Sequence, residues 1–347
     1  MFNALRILFL RLALGLPDVL AGPLGFGVKD VDGTPLSTRL RWFLRLLDLD
    51  TLDWKTAQPD VERDAFHRLS NGPIAGPIVD VHTEEHTVPG SPPVTIRLYR
   101  PHNQTEPLPA IFWIHGGGFV VGGLSTHDRF CRRLAADTQT VVIAANYRLS
   151  PEHPFPAALE DVTAVWQWMR SQTQQLTLDP SKLALAGDSA GGNMTAVLCQ
   201  QLPPNERPAY QILCYPGTDF TRRHPSRLRY ADGYFLTDEA IEWFLNHYCT
   251  NEQRKDPRTS PLLAPSIRDQ PPAFVITMGL DPLCDEGLLY ADRLEEANTP
   301  VERMHEPAMI HGFITLYGAL PKADELMTQM CQRINAHFIK PSASLID

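Results

Sequence analysis

The sequence predicts an α/β fold, with a mostly parallel eight-stranded sheet, helices on both faces and an added helical part. Three observations carry the prediction. Short apolar runs alternate with helical patterns along most of the chain, the order that parallel strands joined by crossover helices require. Two of these runs lead directly into glycine motifs: His115-Gly116-Gly117-Gly118 follows residues 110–114, and Gly187-Asp188-Ser189-Ala190-Gly191 follows residues 183–186. A chain of 347 residues, 43% hydrophobic and 20% charged, suits one large domain with an elaboration better than two independent domains.

Strands are predicted at 78–87, Val94–Arg100, 110–114, 140–146, 183–186, 210–215, 273–278 and 300–306. The first two are joined through Pro89-Gly90-Ser91-Pro92-Pro93 and read as an antiparallel hairpin at one edge. Between later strands, helices are predicted at 128–136, 159–170, 193–201 and 288–297. In the third, Met194, Val197 and Leu198 share a face, and Pro203-Pro204 ends it. Two regions break the rhythm, residues 1–75 and 217–260. The second contains a helix at Asp238–Tyr248 with Ile241, Phe244, Leu245 and Tyr248 on one side. The chain thus divides into 1–75, a first core part at 76–216, the insertion 217–260 and a second core part at 261–347.

At the N-terminus, Phe2, Leu5, Leu8, Phe9 and Leu12 form an apolar helical face that Arg6 and Arg11 interrupt and Pro17 closes. The run is shorter than the ~20 residues a spanning helix needs. Its charges lie inside the apolar run, unlike a signal peptide. The preferred reading is a helix of the elaboration. An interfacial membrane contact through residues 1–16 and a processed segment are the alternatives. The expected compartment is the cytoplasm.

The second glycine motif has the form G-x-S-x-G between a strand and a helix. A serine hydroxyl is a poor nucleophile at neutral pH, and it must stand clear of the backbone and beside a base to react. A sharp strand-to-helix turn exposes Ser189, and Gly187 and Gly191 remove side chains that would clash across it. The first motif supplies a complement. Acyl transfer builds negative charge on a carbonyl oxygen, and preorganised backbone N–H groups stabilise it. Gly117 and Gly118 are assigned as two donors and Ala190 as the third; His115 braces the loop.

On an α/β sheet the acid and then the histidine follow the serine in the chain. His311, before Gly312-Phe313 and after an apparent strand, is the expected base. His224, His247, His305 and His337 also follow Ser189; His224 is read as a surface or packing residue, and His247 and His337 lie in amphipathic helices. Asp281, just past the strand 273–278, is preferred as the acid over Asp285 and Glu286, which read as the first turn of the next helix. Asp188 is read as structural, anchoring the turn or holding the loop after Tyr147. Phe119, Phe155, Tyr215, Phe220, Tyr234 and Phe313 are candidates for lining a substrate pocket, with ordinary core packing an equal alternative for each.

These residues resemble the hormone-sensitive-lipase-like group of α/β-hydrolases, bacterial esterase family IV, in its GDSAG branch. The stretch from Tyr147 to Asp161, with Pro151-Glu152-His153-Pro154-Phe155-Pro156, is similar to a long signature of that group. So are Gly187-Asp188-Ser189-Ala190-Gly191-Gly192-Asn193, Asp281-Pro282-Leu283-Cys284-Asp285-Glu286-Gly287 and His311-Gly312-Phe313. The likeness spans roughly 78–340, with Cys284 standing where Arg is frequent. It implies an α/β-hydrolase fold whose regions 1–75 and 217–260 meet as a helical cap that excludes water and shapes the pocket. It also implies a carboxylesterase acting on short- to medium-chain acyl esters. An amidase, a deacetylase or a lipase using the same triad is the alternative. A ligand-binding receptor is a further one; the gibberellin receptors share the fold but lack the histidine.

Composition closes off other classes. The net charge of −9 without a basic stripe argues against nucleic acid as a partner. Six cysteines without C-x-x-C spacing imply neither a disulfide framework nor a zinc site. His82 and His86 lie in a strand pattern, where positions four apart stand ~13 Å apart, so they do not read as metal ligands. No metal or cofactor is expected. The partner is a small-molecule ester, and the family likeness allows a homodimer. Because the base must start neutral, activity should fall in acid through the ordinary histidine range near about 6.5.

Overall fold

A computed structural model of the protein describes residues 36–48 and 53–339. The N-terminal apolar face at 1–16 lies outside the described residues. Among the described residues, two α-helices precede the sheet, α1 (Thr38–Asp48) and α2 (Pro59–Ser70). The sheet then builds from β1 (His82–Val88), β2 (Val94–Arg100), β3 (Leu108–Ile114), β4 (Val141–Asn146), β5 (Leu178–Asp188), β6 (Tyr210–Cys214), β7 (Ala273–Leu280) and β8 (Val301–Ile310). The helices between and after them are α3 (Leu124–Thr138), α4 (Ala157–Ser171), α5 (Ala190–Gln201), α6 (Pro225–Arg229), α7 (Asp238–Tyr248), α8 (Cys284–Glu296) and α9 (Pro321–Ile339).

The eight strands form one sheet in the order β1-β2-β4-β3-β5-β6-β7-β8. β1 and β2 make the expected antiparallel hairpin, β2 is antiparallel to β4, and all later pairs are parallel. Successive side chains of a strand point to opposite faces, and β3 shows the result. Ile111 and Trp113 pack with Phe130 of α3 and Met330 of α9, while Ala110, Phe112 and Ile114 pack with Val162 of α4 and Met194 of α5. Both faces are therefore covered, and a strand buried on both sides reads as an unbroken apolar run. Each large side chain so buried contributes about 1.5–3 kcal/mol.

Several element ends differ from the sequence reading: β1 starts at His82 and not at 78, and polar residues extend two later strands. β5 starts at Leu178, ahead of the apolar run 183–186, because Leu178 pairs with Leu108 across a register shift. β8 runs on to Ile310, where Leu280 of β7 pairs with it. α5 starts at Ala190, before 193; its glycines Gly191 and Gly192 hide the first turn from a propensity reading.

The register sets the ends of the parallel strands level. Ile114 lies opposite Gly187, and Leu280 lies opposite Ile310. The residues that follow them, the His115 loop, Ser189, Asp281 and His311, therefore gather at one edge, the carboxyl end where open α/β sheets collect their sites.

Residues 53–70 and α7 meet above this edge. Trp54 packs on Trp243 and Phe244 with ring centroids 5.3 and 5.7 Å apart, and the Trp243 indole N–H donates to the Ala57 carbonyl at 3.3 Å. The Asn193 amide of α5 donates to the carbonyls of Gly217 (2.8 Å) and Thr259 (2.7 Å), clamping both ends of the 217–260 insertion to the helix that follows Ser189. Among the described residues, no helix is long and apolar enough to cross a membrane.

Candidate active site

Ser189 is the single residue between β5 and α5, with φ 54° and ψ −116°. Non-glycine residues hold such a conformation only where the surroundings enforce it. Here the Ser189 N–H donates to the Cys214 carbonyl at 2.9 Å, and its carbonyl accepts the Asn193 N–H at 2.9 Å. A Cβ on Gly187 would fall on the Gly191 carbonyl group, across the turn as expected. A Cβ on Gly191 would fall on the Ile114 carbonyl. The second glycine is thus required by the neighbouring strand β3 and not by the turn alone.

Nε2 of His311 lies 2.9 Å from the Ser189 hydroxyl, and Nδ1 lies 2.7 Å from Oδ2 of Asp281. A carboxylate only accepts, so Nδ1 carries the proton and Nε2 is free to accept from the serine. Asp281 is fully buried, and its other oxygen accepts the Leu283 N–H at 2.8 Å, which sets the carboxylate plane. The alternative acids face elsewhere. Asp285 accepts the Ser226 N–H at 2.7 Å, and Glu286 accepts the N–H groups of Thr218 and Asp219 at 2.5 and 3.2 Å.

The glycine loop turns back beside Ser189. The Gly117 carbonyl accepts the N–H groups of Val120 (3.0 Å) and Val121 (2.9 Å). Among the described residues, the amides of Gly117 and Gly118 donate to no protein acceptor. The third expected donor, Ala190, opens α5, whose first turn holds no acidic residue to offset its positive end. Gly118 has φ +57°, and the Phe244 ring lies where its Cβ would be.

Asp188 is buried, and its Oδ1 accepts from the Trp113 indole (3.1 Å) and the Gly116 amide (2.9 Å) and faces His127 Nε2 at 3.3 Å. It therefore anchors the loop after β3; the residue after β4, Tyr147, reaches that loop by its own hydroxyl, 2.8 Å from the His115 carbonyl. His115 is buried and stacked on Tyr147, with centroids 4.1 Å apart. Burial, then the neighbouring His127, pushes its pKa down to about 3, so it stays neutral as a brace. His224 is buried and bonded to Asp219 at 3.0 Å, a packing residue and not a surface one.

The six aromatic candidates fall in three places. Phe119 stacks on Tyr248 at 3.6 Å, with Phe155 and Phe220 edge-on around them. Tyr215 and Phe313 pack behind the imidazole, Tyr215 at 4.5 Å from the His311 ring. Tyr234 is half-buried and edge-on to Tyr230. Phe244, whose ring lies at the Gly118 Cβ position, and Trp54, packed on Phe244, are not among the six. Phe244 was nonetheless visible as part of the apolar face of Asp238–Tyr248. A cavity of about 390 Å³ lined by Leu280, Cys284, Asp285 and His305 lies behind the Asp281 loop and does not include Ser189.

A strained serine at the strand-to-helix turn of a parallel sheet covered on both faces marks the α/β-hydrolases. A family model described as alpha/beta hydrolase fold matches residues 111–315. The chain is 38% identical to an ethyl acetate hydrolase of Pseudomonas putida, over 73% of this chain and 80% of that protein. It is 34% identical to the carboxylic ester hydrolase LipN of Mycobacterium tuberculosis, over 86% and 84%. An ester hydrolase from the metagenome of Lake Arreo superposes with a TM-score of 0.82 at 39% identity, covering 88% of this chain and all of that one. The chain belongs to the hormone-sensitive-lipase-like α/β-hydrolases, bacterial esterase family IV.

Proposed function

We propose that the protein hydrolyses short- to medium-chain carboxylic esters through an acyl-enzyme on Ser189. The carboxylesterase class is that of its family; the observation that carries the residue assignment is the hydrogen-bonded line from Asp281 through His311 to Ser189, at 2.7 and 2.9 Å. His311 takes the hydroxyl proton as Ser189 attacks the ester carbon. Asp281 holds the imidazole tautomer and stabilises the imidazolium. The carbonyl oxygen, now an oxyanion, is met by the amides of Gly117, Gly118 and Ala190. The alcohol leaves with the proton from His311, and water activated by the same imidazole releases the acid. The imidazole must begin neutral to take that proton.

Residues 1–75 and 217–260 are proposed as two parts of one cap over the core parts 76–216 and 261–347. The packing of Trp54 on Trp243 and Phe244 supports joining them. A cap excludes water and limits acyl length. We assign the protein to the cytoplasm, acting on a small-molecule ester. Size-exclusion chromatography decides between a monomer and the homodimer that the family likeness allows, and vesicle flotation detects any contact through residues 1–16.

The test is hydrolysis of p-nitrophenyl esters from acetate to palmitate, with matched anilides and an emulsified triglyceride. Turnover that peaks at short or medium esters and vanishes in Ser189→Ala is the expected result. Preference for the anilide or the emulsion would overturn the substrate assignment.

A further inference from the structure

Arg63 stands on α2, outside the sheet, yet its guanidinium reaches the glycine loop. Nε donates to the Val120 carbonyl at 2.9 Å. Nη2 donates to the Ser150 carbonyl at 2.8 Å and to Glu152 at 2.6 Å, and Nη1 donates to Glu152 at 2.8 Å and to Asp60 at 3.1 Å. Five donors is the full capacity of a guanidinium, and here all are used. Ser150 in turn donates its N–H to the Phe119 carbonyl at 2.9 Å. The loop is thus gripped at consecutive carbonyls, Phe119 through Ser150 and Val120 directly.

Three successive glycines carry more backbone freedom than any other three residues, so beyond the loop's own bonds to the Gly117 carbonyl its amides need support from outside. Asp188 fixes one end, at the Gly116 N–H. We infer that Arg63 is a positioning residue that fixes the other end and so orients the amides of Gly117 and Gly118. The inference rests on the oxyanion role proposed above. A lysine could not replace it, because an ammonium lacks the planar fork that serves two carbonyls and a bidentate carboxylate together. The Arg63 hydrogen bond also holds Glu152 down to about 2. That pair is half exposed, so its worth lies in geometry more than in charge.

The experiment compares wild type, Arg63→Ala and Arg63→Lys on p-nitrophenyl butyrate, with a trifluoromethyl ketone as a tetrahedral mimic. Misplacing a catalytic group by about 1 Å can cost ~100-fold. Arg63→Ala should therefore lose about 10- to 100-fold in kcat with KM within about threefold, and inhibition by the ketone should weaken in proportion to kcat/KM. Arg63→Lys should fall between, and it keeps the test open if the alanine variant does not fold. Activity within threefold of wild type would overturn the inference. So would a raised KM at constant kcat, or a loss of kcat with the ketone constant unmoved. Wild type that neither turns over the ester nor binds the ketone would instead overturn the functional reading on which the inference rests.

Discussion

The Asp188 carboxylate accepts the Gly116 N–H at 2.9 Å, so the strand that delivers Ser189 also fixes the start of the glycine loop. Burial alone would raise this carboxyl, but His127, the Gly116 amide and the Trp113 indole outweigh it and hold its pKa below the usual range. A depressed acid adds stability that is complete above its unfolded value, about 3.9, and is lost as pH falls through the folded value. Asp188→Asn should lose about 1.5–3 kcal/mol near neutral pH. The Tm gap to wild type should close on acidification, and a gap that stays constant with pH would contradict this account of Asp188.

Glu286 behaves oppositely. Burial pushes its pKa up to about 8 against two amide donors that pull it down, and one of its oxygens has no partner among the described residues. A raised acid contributes stability fully below its unfolded value, about 4.3, and loses it as pH rises through about 8. Wild-type Tm should therefore carry a decline over that window which Glu286→Gln lacks. Parallel Tm profiles for the two proteins would count against it.

Gly118 combines φ +57° with the Phe244 ring at its Cβ position. Gly118→Ala should cost about 100-fold in kcat through a displaced amide. Adding Phe244→Ala removes the collision but not the left-handed strain of about 1–2 kcal/mol. The double variant should recover part of the loss, and steady-state kinetics on one short ester decides; no recovery would mean Phe244 is not the obstacle.

Asn193 satisfies two buried carbonyls at the ends of the insertion. Asn193→Ala strands both, at about 1–3 kcal/mol each. Denaturant unfolding should show a loss of about 2–6 kcal/mol. Asn193→Asp, which can only accept, should do no better. A loss under about 0.5 kcal/mol would show that the clamp is dispensable.

Much of this arrangement was legible in the chain. Buried parallel strands leave apolar runs, so 110–114 and 183–186 announced β3 and β5. The close approaches at Gly187 and Gly191 leave a readable spacing, and chain order pointed to His311. What stayed hidden were polar contacts between residues far apart in sequence. Arg63 lies 57 residues from Val120, and Thr218 lies 68 from Glu286, so no period connects them. α2 is rich in charge and Ser70 is its one buried residue, which kept its role out of sight. Composition could not separate Tyr215, packed behind the imidazole, from a residue open to substrate. Asp281 and Asp285 were separated by geometry, since only the first faces His311.

The most direct test of the central claim is peptide mapping after reaction with a p-nitrophenyl alkylphosphonate, which traps the serine as a tetrahedral adduct. The account predicts one p-nitrophenolate released per chain, the adduct on Ser189, complete loss of esterase activity, and no labelling in His311→Ala on the same timescale. Activity that survives stoichiometric labelling, or an adduct on another residue, would contradict it.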